Sequence, residues 1–423
     1  MHRHHRVAIT GLGVISPYGG DGTDFFERLL AGESAVRHLA TDEPPRPLSV
    51  PAGICPEFDP ETILGKPLAL MMERFAQLGT AAAFLAWEQA GLTRRPGEGD
   101  ASREHWGCIW GTALGGVAAH ERGSREMWLK GRERVSPLSV VQGMNNAVNA
   151  HISIQLGLGG VSTSHTAACA SSGIAIGEAF RRVRSGEAAV MLTGGSDVCQ
   201  SYGVVRAWEA MRVMAPGDAL TSPSACRPFA ADRAGLVLGE GGAALVLEAW
   251  DHAVARGARI HGEIVGFGTS CDHSHLVRPN REGQVRALRS ALADAQLAPD
   301  DIHYVNAHGT ATAEGDPVEI AALREVFGER AVQLPVSATK SMHGHLLGAC
   351  GAVEAVVTAM TLREQAIPPT AHLSGRIDPA CEGVDHVLQG RRGVPLRAAL
   401  SNSFAFGGSN AVLAFRAPPA FSS

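Results

Sequence analysis

Short apolar runs alternate along this chain with longer stretches of helical spacing. Unbroken runs of a few Val, Ile and Leu residues bounded by glycine read as buried strands. Apolar positions recurring every three or four residues read as amphipathic helices. On this reading Val7–Ile15 is a strand, and a long helical stretch ends at residues 87–92. Strand 106–110 follows and runs into the turn Gly111-Thr112-Ala113. The second part of the chain repeats the order: strand 260–267, a helix ending at 294–297, strand 302–306, then Gly309-Thr310-Ala311. Cys169 opens a helix at Ser171–Arg184, which leads to strand 188–193. His345 opens a helix at 346–362. Each part closes on an apolar strand beside glycines, 241–247 and 408–415. Such an echo predicts an α/β protein made of two similar units, residues 1–255 and 256–423, packed face to face. The junction falls at 255–259, where no flexible linker appears, so one fused core is expected.

Composition narrows the classes. A chain of 423 residues exceeds what one core usually reaches, and 45% hydrophobic against 19% charged residues fits a folded protein with much buried surface. Fifty glycines in short clusters such as Gly115-Gly116 and Gly407-Gly408 imply tight turns and close backbone approach. A net charge of −5 leaves no electrostatic footprint for nucleic acid. The eight cysteines form no C-x-x-C pair, which argues against a zinc ribbon or a disulfide framework and suits a reducing compartment. No apolar run approaches the roughly 18 residues of a spanning helix. A soluble cytoplasmic protein is expected.

Four segments carry residues fit for chemistry. In Ser164-His165-Thr166-Ala167-Ala168-Cys169-Ala170-Ser171, a cysteine stands where a strand turns into a helix. The macrodipole and free N–H groups there favour a thiolate. In Asn306-Ala307-His308-Gly309-Thr310-Ala311-Thr312, His308 follows a strand's C-terminal end, where open α/β sheets bind ligands, and two threonine hydroxyls alternate behind it. Lys340, His343 and His345 share a glycine-bearing loop before a helix that carries Glu354. A histidine there stays neutral near pH 7 and donates hydrogen bonds, the more so beside a lysine. Ser401-Asn402-Ser403-Phe404-Ala405-Phe406-Gly407-Gly408 is a glycine turn whose N–H groups can face an oxyanion. Taken singly, each segment also fits a buried cysteine, a turn histidine, a capping loop or plain aromatic core.

Taken together, these segments resemble the thiolase-fold condensing enzymes, most closely the β-ketoacyl-ACP synthase II-like ketosynthases. The likeness runs from Arg6-Val7-Ala8-Ile9-Thr10-Gly11-Leu12-Gly13 to the closing strand. It implies a five-layer α/β/α/β/α fold of two duplicated halves, normally a dimer, with a Cys-His-His site. It further implies that Cys169 carries the acyl group, and that His308 and His345 bind the malonyl carbonyl and stabilise the enolate. The N–H groups of Cys169 and Phe406 would form the oxyanion hole, and Lys340 with Glu354 the supporting ion pair. Thr310 and Thr312 match contacts to phosphopantetheine; Leu114, Phe404 and Phe406 match substrate-binding positions, Leu114 on the acyl tunnel. The reaction needs no metal and no organic cofactor, because acyl carrier protein brings the substrates on its phosphopantetheine. Gly11-Leu12-Gly13 is only a fragment of a dinucleotide fingerprint.

Three departures stand out: Ala167 and His343 where threonine is usual, and Ser274 where tyrosine is. They predict altered pocket selectivity. Metal binding by Cys271, His273 and His275 lacks a fourth ligand. The resemblance leaves open fatty-acid elongation or a type II polyketide ketosynthase paired with a chain-length factor, hence a homodimer or a heterodimer. A non-catalytic chain-length factor is disfavoured by the intact Cys169 and histidines, and a degradative thiolase by the two-histidine set. Lys66, Arg74, Arg122, Arg125, Lys130, Arg132 and Arg134 are candidates to dock an acidic carrier protein.

Overall fold

In the computed structural model, residues 4–19, 22–42, 46–95, 102–373 and 376–419 are described. The first unit contributes β1 (Val7–Ile15), β2 (Gly107–Gly111), β3 (Ser162–His165), β4 (Val190–Asp197) and β5 (Gly241–Ala249). The second contributes β6 (Gly262–Cys271), β7 (Tyr304–Asn306), β8 (Pro335–Ser337), β9 (Ala398–Phe404) and β10 (Ser409–Arg416). From the middle outward the order is β1-β5-β4-β2-β3 on one side and β6-β10-β9-β7-β8 on the other, where Asp385–His386 adds a short edge strand. Directions match as well. The inner pairs are antiparallel and the outer pairs parallel in both units. The repeat read from the sequence is therefore a repeat of topology.

The two sheets meet through one short antiparallel pairing, Val7–Ile9 of β1 with Gly262–Ile264 of β6. Two helices fill the space between the sheets, α2 (Ser171–Arg184) and α4 (Cys350–Glu364); they pack on each other and touch strands of both units. One core runs through this middle layer, joining Ile176 and Phe180 of α2, Val353 and Val356 of α4, Leu245 of β5 and Phe267 of β6. The outer layers are α1 (Arg74–Gln89) on the first sheet and α3 (Arg281–Ala295) on the second. The result is the five-layer arrangement of the thiolase fold.

The glycines of β1 now have a reason. A Cβ on Gly11 or Gly13 would stand 2.0 Å from the carbonyl oxygen of Ala86 or Ala82 on α1, so only glycine lets the helix lie this close. Gly266 and Gly268 of β6 hold the matching places under α3, 2.7 and 2.1 Å from the oxygens of Ala291 and Ala287. The dinucleotide-like fragment is a packing device, present once in each unit. No described helix is long and apolar enough to cross a membrane.

Candidate active site

β3 ends at His165, and the chain turns before α2 begins at Ser171. Ala168 takes a left-handed conformation at φ +46°, uncommon for a residue with a side chain. Ser171 closes the turn: its Oγ accepts from the Ala167 N–H (2.9 Å) and donates to the Ala168 carbonyl (2.6 Å). Cys169 follows the strained residue and is buried against the apolar cluster of Cys199, Leu236, Leu238 and Leu347. The sequence predicts a thiolate at this helix start. Burial outweighs the helix end, pushing the thiol up to about 12, while the Lys340 charge pulls the other way. Burial thus favours the thiol over the thiolate at Cys169.

His308 stands just past β7, on a loop held by two acids. Glu319 accepts from the His308 and Gly309 N–H groups (2.8 Å each) and from the Asn402 amide (3.1 Å). Asp316 accepts from the N–H groups of Thr310 and Ala311 (3.1 Å each) and of Phe229 (2.8 Å). Lys340, fully buried and paired with Glu354, donates to the His308 carbonyl at 2.6 Å and faces its Nδ1 at 3.3 Å. An ammonium at Nδ1 leaves the ring proton on Nε2. Burial, and then the Lys340 charge, hold His308 neutral. Burial alone would lower the lysine; Glu354 keeps it above its ordinary range and charged.

His345 is placed differently from the expected helix start. Its N–H donates to Val237 (2.6 Å) and its carbonyl accepts from Gly239 (2.9 Å), so its backbone is pinned beside Leu238. A 3-10 turn at Leu347–Ala349 intervenes, and α4 starts only at Cys350. Leu347, at φ +45°, directs its N–H to His345 Nδ1 at 3.1 Å. That bond again leaves Nε2 protonated. Burial first, then Lys340, lower the pKa of His345 well below the ordinary value.

The two imidazoles stand edge to face, 5.5 Å between centroids at 86°. The Cys169 sulfur and one nitrogen of each ring lie within 4.8 Å of one another, the one grouping of metal-ligating side chains at such spacing among the described residues. By spacing alone it could hold a metal. A ligating histidine, however, donates through its second nitrogen, and here both Nδ1 atoms accept. The pair is arranged to donate two N–H groups to an oxygen that gains negative charge.

These groups open on a cavity of about 490 Å³ whose wall includes Thr310, Thr312, Phe404 and Phe406. The threonine hydroxyls lie 3.0 Å apart, on one side of the cleft as the sequence predicts. Phe406 stacks on Trp208 at 5.7 Å. Leu114 does not line this cavity; it is half-buried against the apolar cluster around Cys169. His343 is also off the wall. It is fully buried, with Nδ1 on the Gly344 carbonyl (2.8 Å) and Nε2 on the Thr339 hydroxyl (3.1 Å), and so does not line the cavity whose selectivity it is expected to alter. Ser274 is exposed, and His275 Nδ1 is taken by the N–H groups of Val277 and Arg278.

Three buried acids escaped the sequence reading. Asp316 and Glu319 are spaced three apart at the start of helix Gly315–Phe327, a legible signal for a carboxylate pair beside the His308 loop. Asp197 ends β4 and accepts from Thr112 Oγ1 (3.0 Å) and from the N–H groups of Ala113 (2.7 Å), Leu114 (3.1 Å) and Gly348 (2.9 Å). It ties the turn after β2 to the His345 loop. An acid at a strand's C-terminal end beside Gly194-Gly195 was its only mark in the sequence.

Comparison with known proteins agrees with this geometry. Residues 4–253 match the family described as "Beta-ketoacyl synthase, N-terminal domain", and residues 261–374 match "Beta-ketoacyl synthase, C-terminal domain". Nodulation protein E of Rhizobium leguminosarum bv. trifolii is 41% identical over 97% of this chain and 99% of its own. The 3-oxoacyl-[acyl-carrier-protein] synthase 2 of Staphylococcus aureus (strain N315) is 38% identical over 98% and 99%. Among solved structures, the ishigamide ketosynthase/chain length factor superposes with a TM-score of 0.89 at 32% identity, covering 98% of this chain and all of that one.

Proposed function

This chain belongs to the β-ketoacyl synthase family of condensing enzymes, and from that premise we propose that it extends an acyl chain held on Cys169 by two carbons from malonyl-ACP, in fatty-acid elongation. The observation that carries the reading is the pair of neutral Nε2–H donors, His308 and His345, beside a buried thiol.

In the first half, the Cys169 sulfur attacks the thioester of acyl-ACP. A C–S bond to Cys169 forms, the bond to phosphopantetheine breaks, and the departing thiolate takes the cysteine proton. The N–H groups of Cys169 and Phe406 receive the tetrahedral oxyanion. In the second half, malonyl-ACP enters with its thioester carbonyl against the two imidazoles. Its C–C bond breaks, carbon dioxide leaves, and the electron pair moves into an enolate held by both Nε2–H groups. Neutral imidazoles stabilise that oxygen without quenching the carbanion. The carbanion attacks the acyl carbon, the bond to Cys169 breaks, and the sulfur regains a proton from solvent. Lys340 and Glu354 act by holding His308. No metal or organic cofactor enters the scheme.

Thr310 and Thr312 on the cavity wall suit the amides of a pantetheine arm, and the exposed Arg212 and Arg278 at the same wall suit its phosphate. The docking surface for acyl carrier protein is weaker in charge than the sequence implies. Arg74 is paired with Glu240, Arg122 with Glu73, and Lys130 and Arg132 with Glu126, while Lys66 and Arg134 are exposed. A second chain is supported by the edge strand β3 and by exposed Trp128, Leu129, Val140 and Ile154 on the segments around it. A homodimer fits the elongation reading; a heterodimer with a chain-length factor fits the polyketide alternative, which the ketosynthase relative favours. Eight free cysteines suit the cytoplasm.

Intact-protein mass spectrometry with a panel of acyl-ACPs, then malonyl-ACP, tests the proposal. An acyl adduct on Cys169 that malonyl-ACP discharges is expected. Failure of every acyl group to load would overturn it, and the preferred chain separates the two pathways.

A further inference from the structure

The mechanism leaves unused a second buried thiol that touches the catalytic machinery. Cys350 is the first residue of α4 and is wholly enclosed. Its Sγ lies 3.2 Å from His345 Nδ1 and accepts the N–H of Leu346 at 3.1 Å. The heavy-atom contacts constrain where the hydrogens around this ring can sit. The N–H of Leu347 points at His345 Nδ1 and needs its lone pair, so Nδ1 carries no proton. The Leu346 N–H occupies a lone pair of Cys350, so the sulfur acts there as acceptor. What remains is the thiol's own hydrogen, and His345 Nδ1 is the acceptor beside it.

We propose that Cys350 is a positioning residue for His345, its S–H donating to Nδ1 alongside the Leu347 N–H, so that Nε2–H is fixed toward the substrate and strengthened as a donor to the enolate. The inference rests on the role proposed above for His345 and deepens it. Two donors sharing one lone pair draw electron density from the ring, which makes the opposite N–H a better donor and keeps the ring neutral. Burial holds the Cys350 thiol well above its ordinary pKa, so the hydrogen stays on sulfur. With the backbone already pinned at Val237 and Gly239, the ring is constrained at both its root and its far nitrogen. Cys350 touches no atom of the acyl-loading step in this scheme, so its effect falls on the second half-reaction.

The test compares Cys350→Ala and Cys350→Ser with the parent enzyme in three readouts: loading of Cys169 from acyl-ACP, kcat and KM with malonyl-ACP, and the ¹⁵N resonance of His345 Nδ1, assigned by its loss in His345→Gln. The alanine variant should load Cys169 normally and keep KM, while kcat falls about 3- to 10-fold, the worth of one neutral hydrogen bond. Its Nδ1 resonance should move toward the free imine position. Serine, a stronger donor, should restore kcat to within about twofold and move the resonance the other way. An unchanged kcat and resonance in alanine would overturn the inference, as would loading and turnover falling together, which marks a packing defect. If the alanine variant does not fold, serine decides alone: a resonance that does not move toward the hydrogen-bonded side overturns it. Failure of the parent enzyme to load Cys169 at all is a separate result that strikes the proposed function.

Discussion

The connections from β3 into α2 and from β8 into α4 hold equivalent places in two units of the same topology, yet they do different work. The first is short, residues 166–170, and bends through one strained alanine to present a single sulfur on the buried middle layer. The second, residues 338–349, winds through a short helix and a 3-10 turn and delivers Lys340 and His345. The turns after β2 and β7 divide in the same way. Asp197 holds the former; Asp316 and Glu319 hold the latter together with His308. The shared topology thus sets where strands end and helices begin, and the loops between them differ in length and in whether they offer the nucleophile or the hydrogen-bond donors. Both sets face one cavity because α2 and α4 share a layer.

Separating the two units by mutation is the sharpest way to break this division. Cys169→Ala should abolish acyl loading and reduce condensation by about 10³-fold or more, with the fold intact by circular dichroism. His308→Ala and His345→Ala should each lower condensation by about 10²–10³-fold, the cost of losing one preorganised oxyanion donor, while mass spectrometry still finds acyl groups on Cys169. If either histidine variant also failed to load, the units would not divide the labour as described.

The likeness between the units was legible because it lies in short-range patterns: an apolar run, a glycine where a helix crosses closely, a helix of the right length. Gly11 with Gly13 and Gly266 with Gly268 carry that signal. Cys169, His308 and His345 were legible as a set, since the resemblance supplied their partnership and their own residue types fitted the chemistry. The ionisation of Cys169 was not. A helix start argues for a thiolate, but enclosure by Cys199, Leu236, Leu238 and Leu347, all distant in sequence and so invisible in a local window, decides the balance. Nor were Asp197 or the off-wall places of His343 and Leu114 legible, because each depends on which distant backbone amide or cavity wall the side chain meets; Glu319 left a signal only in its spacing from Asp316.

The buried pair Lys340–Glu354 sharpens the comparison from the side of the second unit, whose loop is held by charge where the first unit's turn is held by Ser171. Lys340→Ala should destabilise the protein by about 3–5 kcal/mol, because a carboxylate remains enclosed without its partner. Urea unfolding measures this. Removing both groups as Lys340→Met with Glu354→Gln should recover much of that loss. Condensation should stay impaired, since His308 Nδ1 still lacks its donor. Recovery of activity along with stability would show the pair to be scaffolding only.

Asp197 offers the finest test, because it is where the first unit grips the second through Gly348. Burial raises its pKa from 3.8 to about 6, against the pull of the bonds from Ala113, Leu114, Thr112 and Gly348. A carboxyl whose pKa is higher folded than unfolded binds more protons in the folded chain between those two values. Stability therefore falls as pH rises from 3.8 toward 6, and the loss is complete above 6. The span corresponds to about 3 kcal/mol at most. Asp197→Asn cannot titrate, so the difference in unfolding free energy between parent and variant should change across this window and be flat on either side. Subtracting the variant cancels the other carboxylates that titrate in the same range. A difference flat throughout would mean that the four donors neutralise the cost of burying the charge. In that case the link between the units would be as firm with the carboxylate charged as with it protonated.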